Sequence, residues 1–308
     1  MEENVAEGGR MLRRTLSHRI LLLTVAAAAL VFTPAAAGTA DPDVFSAGRN
    51  AAAWSVHARL PDARTPAAGP LIAAHRGASK YAPENTMAAF RLAETMGANF
   101  IELDVRATRD GRLIALHDET VDRTTNGKGR AGELTFGEIR RLDAGGWFSP
   151  AFRGERIPSL EEVLDRFGGG IGLILELKQP SAYPGIEQAL ARLLTERGLD
   201  RPERGRIIIQ SFDTGSLRRV RELLPNMPIA VLVRPRQRVT SRDLAEYRKF
   251  ADAVHLPGAS ARKPVIRRIQ SCGLSVMVWN IHGERQARRL LRYGVDGILT
   301  DDPLLLGR

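Results

Sequence analysis

Cysteine and aromatic residues are scarce in this sequence of 308 residues, and each shortage excludes something. Cys272 is the single cysteine, which excludes an internal disulfide and a metal site built from several thiolates. Aromatic residues make up 6% of the chain, and no basic run is interleaved with them in the pattern typical of nucleic-acid binding. The sequence therefore predicts neither a disulfide-stabilised fold nor a nucleic-acid partner.

Lysine is scarce as well, although the chain is strongly basic. Five of the 45 basic residues are Lys, which leaves 40 Arg, and the formal net charge is +10. The apolar fraction of 44% and the charged fraction of 26% are those of an ordinary soluble protein with a sizeable core. Diffuse positive charge favours an anionic substrate or an anionic cell envelope. The sequence gives no indication of an oligomeric state.

Long hydrophobic runs are also lacking, except near the amino terminus. Four arginines precede an apolar run over residues 20–32, and small residues follow it. This pattern is typical of a secretory signal peptide, and the run is short for a membrane span. We predict a signal peptide at 1–40, a linker at 41–69 and a folded domain at 70–308, in an exported protein (secreted or cell-envelope) that keeps no membrane span after cleavage.

From residue 71 onward, short apolar runs alternate with amphipathic stretches. Eight strand-like runs lie at 71–74, 100–105, 172–177, 206–211, 229–233, 253–256, 275–279 and 297–300. Helical patterns separate most of them, so the chain is predicted to form an α/β fold, a (β/α)₈ TIM barrel with its site at the carboxyl ends of the strands. A long insertion at about 108–167, between the second and third barrel strands, is predicted to form a lid or rim.

The first strand-like run ends in the charged sequence His75-Arg76-Gly77. An imidazole exchanges protons near neutral pH, and a guanidinium matches phosphate oxygens. Gly77 allows a sharp turn or a close approach to a ligand. Taken alone, this stretch is equally consistent with a polar loop after a buried strand, and the motifs further along favour a functional site.

Carboxylates recur at every second position in two other strands. Glu102 and Asp104 share one face of a strand, and Glu176 shares a face with Lys178. The apolar residues between them are expected to face the helices: Ile101, Leu103, Val105, Leu175 and Leu177. Three carboxylates pointing into the barrel cannot all ionise without a partner, and a hard divalent cation such as Mg²⁺ or Ca²⁺ is the economical solution.

Two further histidines end apolar runs. His117, followed by Asp118, comes after the run at 113–116 in the way that His75 follows the first strand. A pair of this kind predicts a general acid and a general base that act across one bond, although either histidine alone is more often structural. His255 also ends a strand-like run and is a lesser candidate for the rim of the site.

Other polar or aromatic residues lie at strand ends with less certain roles. Trp279 is predicted either to pack against a small organic group of the substrate or to cap the core, and Gln210 either to line the rim or to serve the fold. Asp296 and Asp301, at the two ends of the last strand, are predicted to have structural roles.

These residues together resemble the motifs of glycerophosphodiester phosphodiesterases. His75–Thr86 matches the motif His-Arg-Gly-x₅-Pro-Glu-Asn-Thr in full, including Glu84 and Asn85 as supporting residues. The E-x-D, His-Asp and E-x-K motifs of that family are similar to the residue pairs at 102 and 104, 117 and 118, and 176 and 178. Similar stretches also occur at 122–127, 157–163, 210–212 and 296–301. The resemblance runs from about 71 to 306.

The resemblance implies a role for each matched residue. It implies a barrel with a divalent cation held by Glu102, Asp104 and Glu176. It implies His75 and His117 as the acid–base pair, with the order of their roles open. It also implies that Arg76 and Lys178 contact the phosphodiester. One departure is visible, because His282 stands where the family usually has Asn in Trp-Thr-Val-Asn.

The charges of these residues agree with that implication. Three carboxylates leave a divalent cation at net −1, and Arg76 and Lys178 bring the site to about +1, which suits a singly charged phosphodiester. The attacking group is either water or a glycerol hydroxyl beside the ester, which would give a cyclic intermediate. The sequence does not determine which of these two groups attacks.

We therefore expect an exported, metal-dependent hydrolase that converts small-molecule glycerophosphodiesters to glycerol 3-phosphate and an alcohol. Two alternatives stay open. A phospholipase-D-like or phosphoinositide-type phosphodiesterase would need an exposed apolar mouth, for which Trp147 and Phe148 are candidates. A non-catalytic protein that binds polyol phosphates would not need the two histidines. The preferred alcohol and the native metal do not follow from the sequence.

Overall fold

The structure is a computed structural model that describes residues 70–201 and 206–307. The predicted signal peptide and linker, 1–69, lie outside the described residues. Within the described part of the chain, no helix has the length and apolar character needed to cross a membrane.

Eight parallel strands close into a barrel, as the sequence predicts. The strands of the molecule are β1 (Leu71–Ala74), β2 (Phe100–Ala107), β3 (Leu113–Ala115), β4 (Gly172–Leu177), β5 (Ile207–Ser211), β6 (Ile229–Leu232), β7 (Ala253–Pro257), β8 (Ser275–Trp279) and β9 (Gly297–Thr300). β1 pairs in parallel with both β2 and β9, which closes the ring. Among the strands of the described residues, β3 pairs with β2 alone, in antiparallel register, and therefore stands outside the ring as the second strand of a hairpin.

Helices follow the strands around the outside of the barrel. They are α1 (Met87–Thr95), α2 (Phe136–Ile139), α3 (Leu160–Phe167), α4 (Ile186–Glu196), α5 (Thr214–Leu223), α6 (Ser241–Tyr247), α7 (Lys263–Ser271) and α8 (Glu284–Arg292). α3 precedes β4, so it is the crossover helix between the second and third barrel strands. The predicted insertion at about 108–167 therefore includes this helix.

Local sequence explains why α3 forms. Ser159 caps its first turn, and Glu162 accepts a hydrogen bond from the Ser159 backbone N–H at 2.9 Å, which completes a capping box. Leu160, Val163 and Phe167 form its buried face. Phe167 packs edge-on against Phe90 of α1 with ring centroids 6.3 Å apart, which ties this helix to its neighbour.

The predicted alternation of the strand side chains is confirmed. The outward-facing residues Ile101, Leu103 and Leu175 belong to the large core between the strands and the helices. A separate apolar cluster fills the lower barrel interior and consists of Leu71, Ala73, Phe100, Ile174, Ile208, Ala230, Ala253, Met277 and Leu299. We call this cluster the lower layer. The inward-facing residues above it are mainly polar and form the site.

The insertion has a small core of its own, made by Ile114, Leu116, Val121, Ala131, Ile139, Ala144 and Ile157. The Leu116 backbone N–H donates to the Asp104 carbonyl at 2.9 Å, which anchors the end of the β3 segment beside β2. The next residue is His117. The insertion thus delivers this histidine to the barrel mouth.

Candidate active site

Three buried carboxylates meet in the upper barrel. Glu102 and Asp104 extend inward from β2, and Glu176 lies opposite Asp104 on the neighbouring strand β4. Each offers one oxygen such that the three atoms lie within 4.8 Å of one another. The alternation of the two strands, as predicted, is what places them on one face.

Crowding and burial shift the pKa values of these carboxyls. Burial and the neighbouring Asp104 raise the pKa of Glu176 to about 7 and hold the pKa of Glu102 well above its ordinary value. Burial alone would raise the pKa of Asp104 too, but Lys178 and Arg76 keep it below its ordinary value. Burial and mutual repulsion therefore disfavour the simultaneous ionisation of all three carboxyls.

Those cationic neighbours come from the ends of β1 and β4. Lys178 Nζ lies 2.7 Å from Glu176 Oε1 and 3.4 Å from Asp104 Oδ1. Arg76 Nε lies 3.4 Å from Asp104 Oδ2, and the Arg76 backbone N–H donates to Glu102 Oε2 at 2.9 Å. Although burial works against it, Asp104 raises the pKa of both cations, so both are charged at neutral pH.

The backbone around Arg76 is strained in a way that the site requires. Arg76 has φ 57° and Asn85 φ 55°, both in the left-handed region. Gly77 has φ 83°, and a Cβ there would lie 2.7 Å from the Ala89 carbonyl carbon. Asn85 exchanges two hydrogen bonds with Asp104, donating from Nδ2 to Oδ2 at 2.8 Å and accepting from the Asp104 N–H at 3.2 Å.

Each of the two predicted acid–base histidines is held by a carboxylate. His75 Nδ1 lies 2.7 Å from Asp301 Oδ1, and the Ser79 hydroxyl donates to the same oxygen at 3.0 Å. His117 Nδ1 lies 2.7 Å from Asp118 Oδ1. The carboxylates hold the Nδ1 side of both rings, so Nε2 is the nitrogen of each ring that they do not contact.

Burial lowers the pKa of His117. Asp104 acts in the opposite direction and raises it, whereas Lys178 lowers it further. Its backbone carbonyl accepts two hydrogen bonds from Arg106, from Nε at 3.1 Å and from a terminal nitrogen at 2.7 Å. Arg106 extends the inward-facing series Glu102, Asp104 by one more position on β2. That two-residue spacing from Asp104 is the signal in the sequence by which Arg106 could have been predicted.

A charged network supports both histidines. Glu84 accepts hydrogen bonds from Arg76 at 2.8 Å and from Arg123 at 2.8 Å. Arg123 also donates to Asp118 at 2.7 Å, so the chain of contacts runs from Arg76 to the His117 partner. Glu84, one of the two residues that the sequence predicts to be supporting, thus lies between two arginines of this network. Arg123 was not predicted, because nothing in a single sequence links position 123 to position 84.

One prediction needs correction. His255 does not lie at the rim: it is fully buried in the barrel interior, two positions along β7 from Ala253 of the lower layer. Asp301 lies at the mouth, where its carboxylate is 2.7 Å from His75 Nδ1 and 3.3 Å from His282 Nδ1. His282 itself is 68% exposed at the edge of the site.

The aromatic rim lies opposite these charges. Trp279 packs edge-on against Phe212 with ring centroids 5.8 Å apart, and its Nε1 donates to the His255 carbonyl at 3.1 Å. Both rings line a central cavity of about 140 Å³, which also contains both histidines and all three carboxylates. Larger cavities flank it, of about 490 Å³ beside His75 and about 630 Å³ beside His117.

A closed (β/α)₈ barrel with acid–base groups and a cluster of hard oxygen ligands at its carboxyl end defines a barrel hydrolase for an anionic substrate. Residues 75–305 match the model of the glycerophosphoryl diester phosphodiesterase family. The chain belongs to this family, and it is a phosphodiesterase.

Known proteins of the same kind resemble the chain over its described part. A glycerophosphodiester phosphodiesterase of Bacillus subtilis (strain 168) is 40% identical over 245 residues, 76% of this chain and 84% of that protein. The crystal structure of a glycerophosphodiester phosphodiesterase from Agrobacterium tumefaciens str. C58 matches with 33% identity and a TM-score of 0.65, over 77% of this chain and 98% of that one. An Oleispira antarctica phosphodiesterase, solved with its product sn-glycerol-3-phosphate, matches with 28% identity and a TM-score of 0.70, over 76% and 94%.

Proposed function

We propose that the protein is an exported, divalent-metal-dependent glycerophosphodiester phosphodiesterase that releases glycerol 3-phosphate and an alcohol. The observation that carries the proposal is the meeting of three carboxylates, two cations and two carboxylate-held histidines around one small cavity. Family membership narrows the substrate to glycerophosphodiesters. The product bound in the Oleispira antarctica enzyme supports the same substrate class.

The residues present suit a divalent cation. Three carboxylate oxygens within 4.8 Å of one another are the ligand type that Mg²⁺ and Ca²⁺ take. Burial and the neighbouring Asp104 raise the pKa values of Glu102 and Glu176, so ionising these carboxyls is costly, and a bound cation would offset that cost. Glu102, Asp104 and Glu176 would hold the cation. When bound, it would supply Lewis-acid stabilisation of charge on phosphoryl oxygens.

The remaining residues have roles that follow from their contacts. Arg76 and Lys178 lie beside the carboxylates and would bind the non-bridging oxygens of the phosphodiester. His75 and His117 each have Nδ1 at 2.7 Å from a carboxylate, so Nε2 of one would accept the proton of the attacking oxygen and Nε2 of the other would donate to the leaving alcohol. The attacking oxygen is that of water, or that of a glycerol hydroxyl whose cyclic intermediate water then opens to glycerol 3-phosphate. Trp279 and Phe212 would exclude water on one side.

Hydrolysis of glycerophosphocholine by the purified protein tests this function. We expect turnover with Ca²⁺ or Mg²⁺, loss of turnover with a chelator, and recovery when the metal is restored. His75→Ala should abolish turnover, whereas His57→Ala, a histidine of the predicted linker, should leave it unchanged. Full activity after complete removal of metal would contradict the metal role.

A lipid-directed phosphodiesterase is the nearer alternative. Trp147 is 41% exposed and packs edge-on against Phe148 with ring centroids 5.7 Å apart, so the insertion presents an aromatic surface. Intact phospholipid vesicles should be compared with the deacylated diester. Faster hydrolysis of the vesicles, reduced by Trp147→Ser, would replace the proposed substrate class with phospholipids.

Export rests on the amino-terminal sequence alone. The basic flank and the apolar run over 20–32 predict cleavage before the folded domain. Fractionation of expressing cells, with sequencing of the mature amino terminus, should find the processed protein outside the cytoplasm. Deletion of 1–40 should retain an active enzyme inside the cell.

A further inference from the structure

A buried polar chain runs across the barrel behind the carboxylates. His255 Nδ1 of β7 lies 2.7 Å from Gln210 Oε1 of β5, and Gln210 Nε2 donates to Glu102 Oε1 of β2 at 3.2 Å. All three side chains are buried. Buried polar groups need partners, and His255 reaches Glu102 only through the Gln210 amide. Neither the proposed reaction nor the metal site as described uses this histidine.

The direction of the hydrogen bonds follows from chemistry. Gln210 Nε2 donates to Glu102 Oε1, which leaves the amide oxygen, an acceptor only, to face His255. His255 must therefore donate from Nδ1. Burial lowers the pKa of His255 to about 3, so the ring is neutral at physiological pH and carries its single proton on Nδ1.

The other ring nitrogen of His255, Nε2, differs from Nδ1 in its contacts. His255 Nε2 is buried and has no hydrogen-bond partner within 70–201 and 206–307. A lone pair left without a partner in the core lowers stability, so an imidazole is a poor side chain here for stability alone. The favourable part of its chemistry is the one donor that it presents to Gln210.

We propose that His255 is a positioning residue of the metal site, which holds the Gln210 amide so that its nitrogen faces Glu102. Without that donor the amide is able to rotate and turn its oxygen toward the carboxylate, where two acceptors repel each other. Glu102 would then lose one of the two hydrogen bonds that fix its oxygens, the other coming from the Arg76 backbone N–H at 2.9 Å. Partners of this kind behind metal ligands typically change metal affinity by about 10- to 100-fold.

Substitution at 255 separates the donor from the rest of the ring. Asn carries an N–H donor at the δ position, where His255 has Nδ1, and lacks any counterpart of Nε2. His255→Asn therefore keeps the proposed contact, and His255→Leu removes it while filling similar space. Met277, which pairs with His255 on the adjacent strand and belongs to the lower layer, offers a packing control as Met277→Leu.

The dissociation constants of Ca²⁺ and Mg²⁺ should be measured on the full chain by competition with a fluorescent chelator. We expect His255→Leu to weaken binding of the metal that the site takes by about 10- to 100-fold. His255→Asn and Met277→Leu should stay within about threefold of the wild type. The double variant His255→Leu/Gln210→Leu should bind no more weakly than Gln210→Leu alone, because the histidine acts through the glutamine.

Activity gives a second measurement. At saturating metal, His255→Leu should recover most of its kcat, and its metal requirement should shift to higher concentration. Unchanged metal affinity in His255→Leu would overturn the proposal, as would an equal loss in His255→Asn or additive losses in the double variant. The proposal rests on the metal site of the proposed function, but chelator competition needs no substrate. A wrong substrate assignment would therefore leave this test intact.

Discussion

The lower and upper layers of the barrel interior are built from the same strands and differ in almost every property. On β2, Phe100 belongs to the lower layer and Glu102 to the site; on β4, the corresponding residues are Ile174 and Glu176. Two positions along a strand, about 7 Å, separate a hydrophobic core from a cluster of carboxylates. The lower residues stabilise the barrel by burial, and the upper ones lower its stability while they create the site.

The pKa values express this difference directly. In the upper layer, burial raises the pKa of Glu176 to about 7. The residues that make up the lower layer are all apolar, and none of them has a titratable side chain. The barrel thus concentrates unfavourable burial at one end of its strands. The other end and the helix layer supply the stability that this requires.

The largest expected effect is a loss of reaction rate when a proposed catalytic side chain of the upper layer is removed. His117→Ala should lower kcat/KM by about 10²- to 10⁴-fold, because it removes a general acid or base. The unfolding free energy should change by less than about 0.5 kcal/mol, since the ring is partly exposed. Steady-state kinetics and urea denaturation measure the two quantities. A loss below tenfold would exclude an acid–base role.

The converse effect is expected in the lower layer. Ile208→Ala should lower the unfolding free energy by about 2–5 kcal/mol through the cavity that it leaves. The molecules that remain folded should keep kcat/KM within about twofold, because Ile208 touches no reacting group. Ile208→Val, at about 0.5–1.5 kcal/mol, provides the graded control. A specific loss of kcat with unchanged stability would show that the two layers are coupled.

Metal binding should raise the unfolding free energy by the same amount whether or not the lower layer is weakened. Saturation to 100 times Kd should raise the unfolding free energy of the wild type by about 2.7 kcal/mol. Ile208→Ala should gain the same increment from a lower baseline, and Glu176→Gln should lose most of it. Denaturation midpoints with metal and with chelator test this. The exposed Glu196→Gln on α4 is the matched control, and an equal increment in Glu176→Gln would contradict the ligand assignment.

The smallest effect is expected at the rim, where charges are solvated. Hydrogen bonds from Arg123 lower the pKa of Asp118 to about 2, below that of the unfolded chain. Because the folded pKa is depressed, the pair stabilises the protein above about pH 4 and this contribution is lost as the pH falls toward 2. Asp118→Asn should therefore show a shallower loss of stability between pH 4 and 2. Parallel pH curves for the two proteins would contradict this.

Much of the barrel was predictable because its strands are short, apolar and buried on both faces. β1, β4, β8 and β9 were predicted with their observed limits. The inward direction of Glu102, Asp104 and Glu176 followed from the two-residue period of a strand. α3 was missed, although Ser159 and Glu162 mark its start as a capping box.

Long-range pairings were not predictable from one sequence. His75 and Asp301 are 226 positions apart, and closure of β1 against β9 brings them together. Glu84 and Arg123 are 39 positions apart and meet because the insertion folds back over the mouth. His255 was placed at the rim because its distance from the end of its strand does not show how deep in the closed barrel its side chain lies, and there it is fully buried.

The sequence by itself determined the alternation of strands and helices, the face on which each carboxylate lies, and the motifs of the phosphodiesterase family, because all of these depend on neighbours a few residues apart. Only the tertiary structure decided which carboxylate holds which histidine and at which level of the barrel each polar residue lies. Those outcomes depend on the closure of the barrel and the stagger of its strands, and no local pattern encodes the distance between residues that meet across the ring.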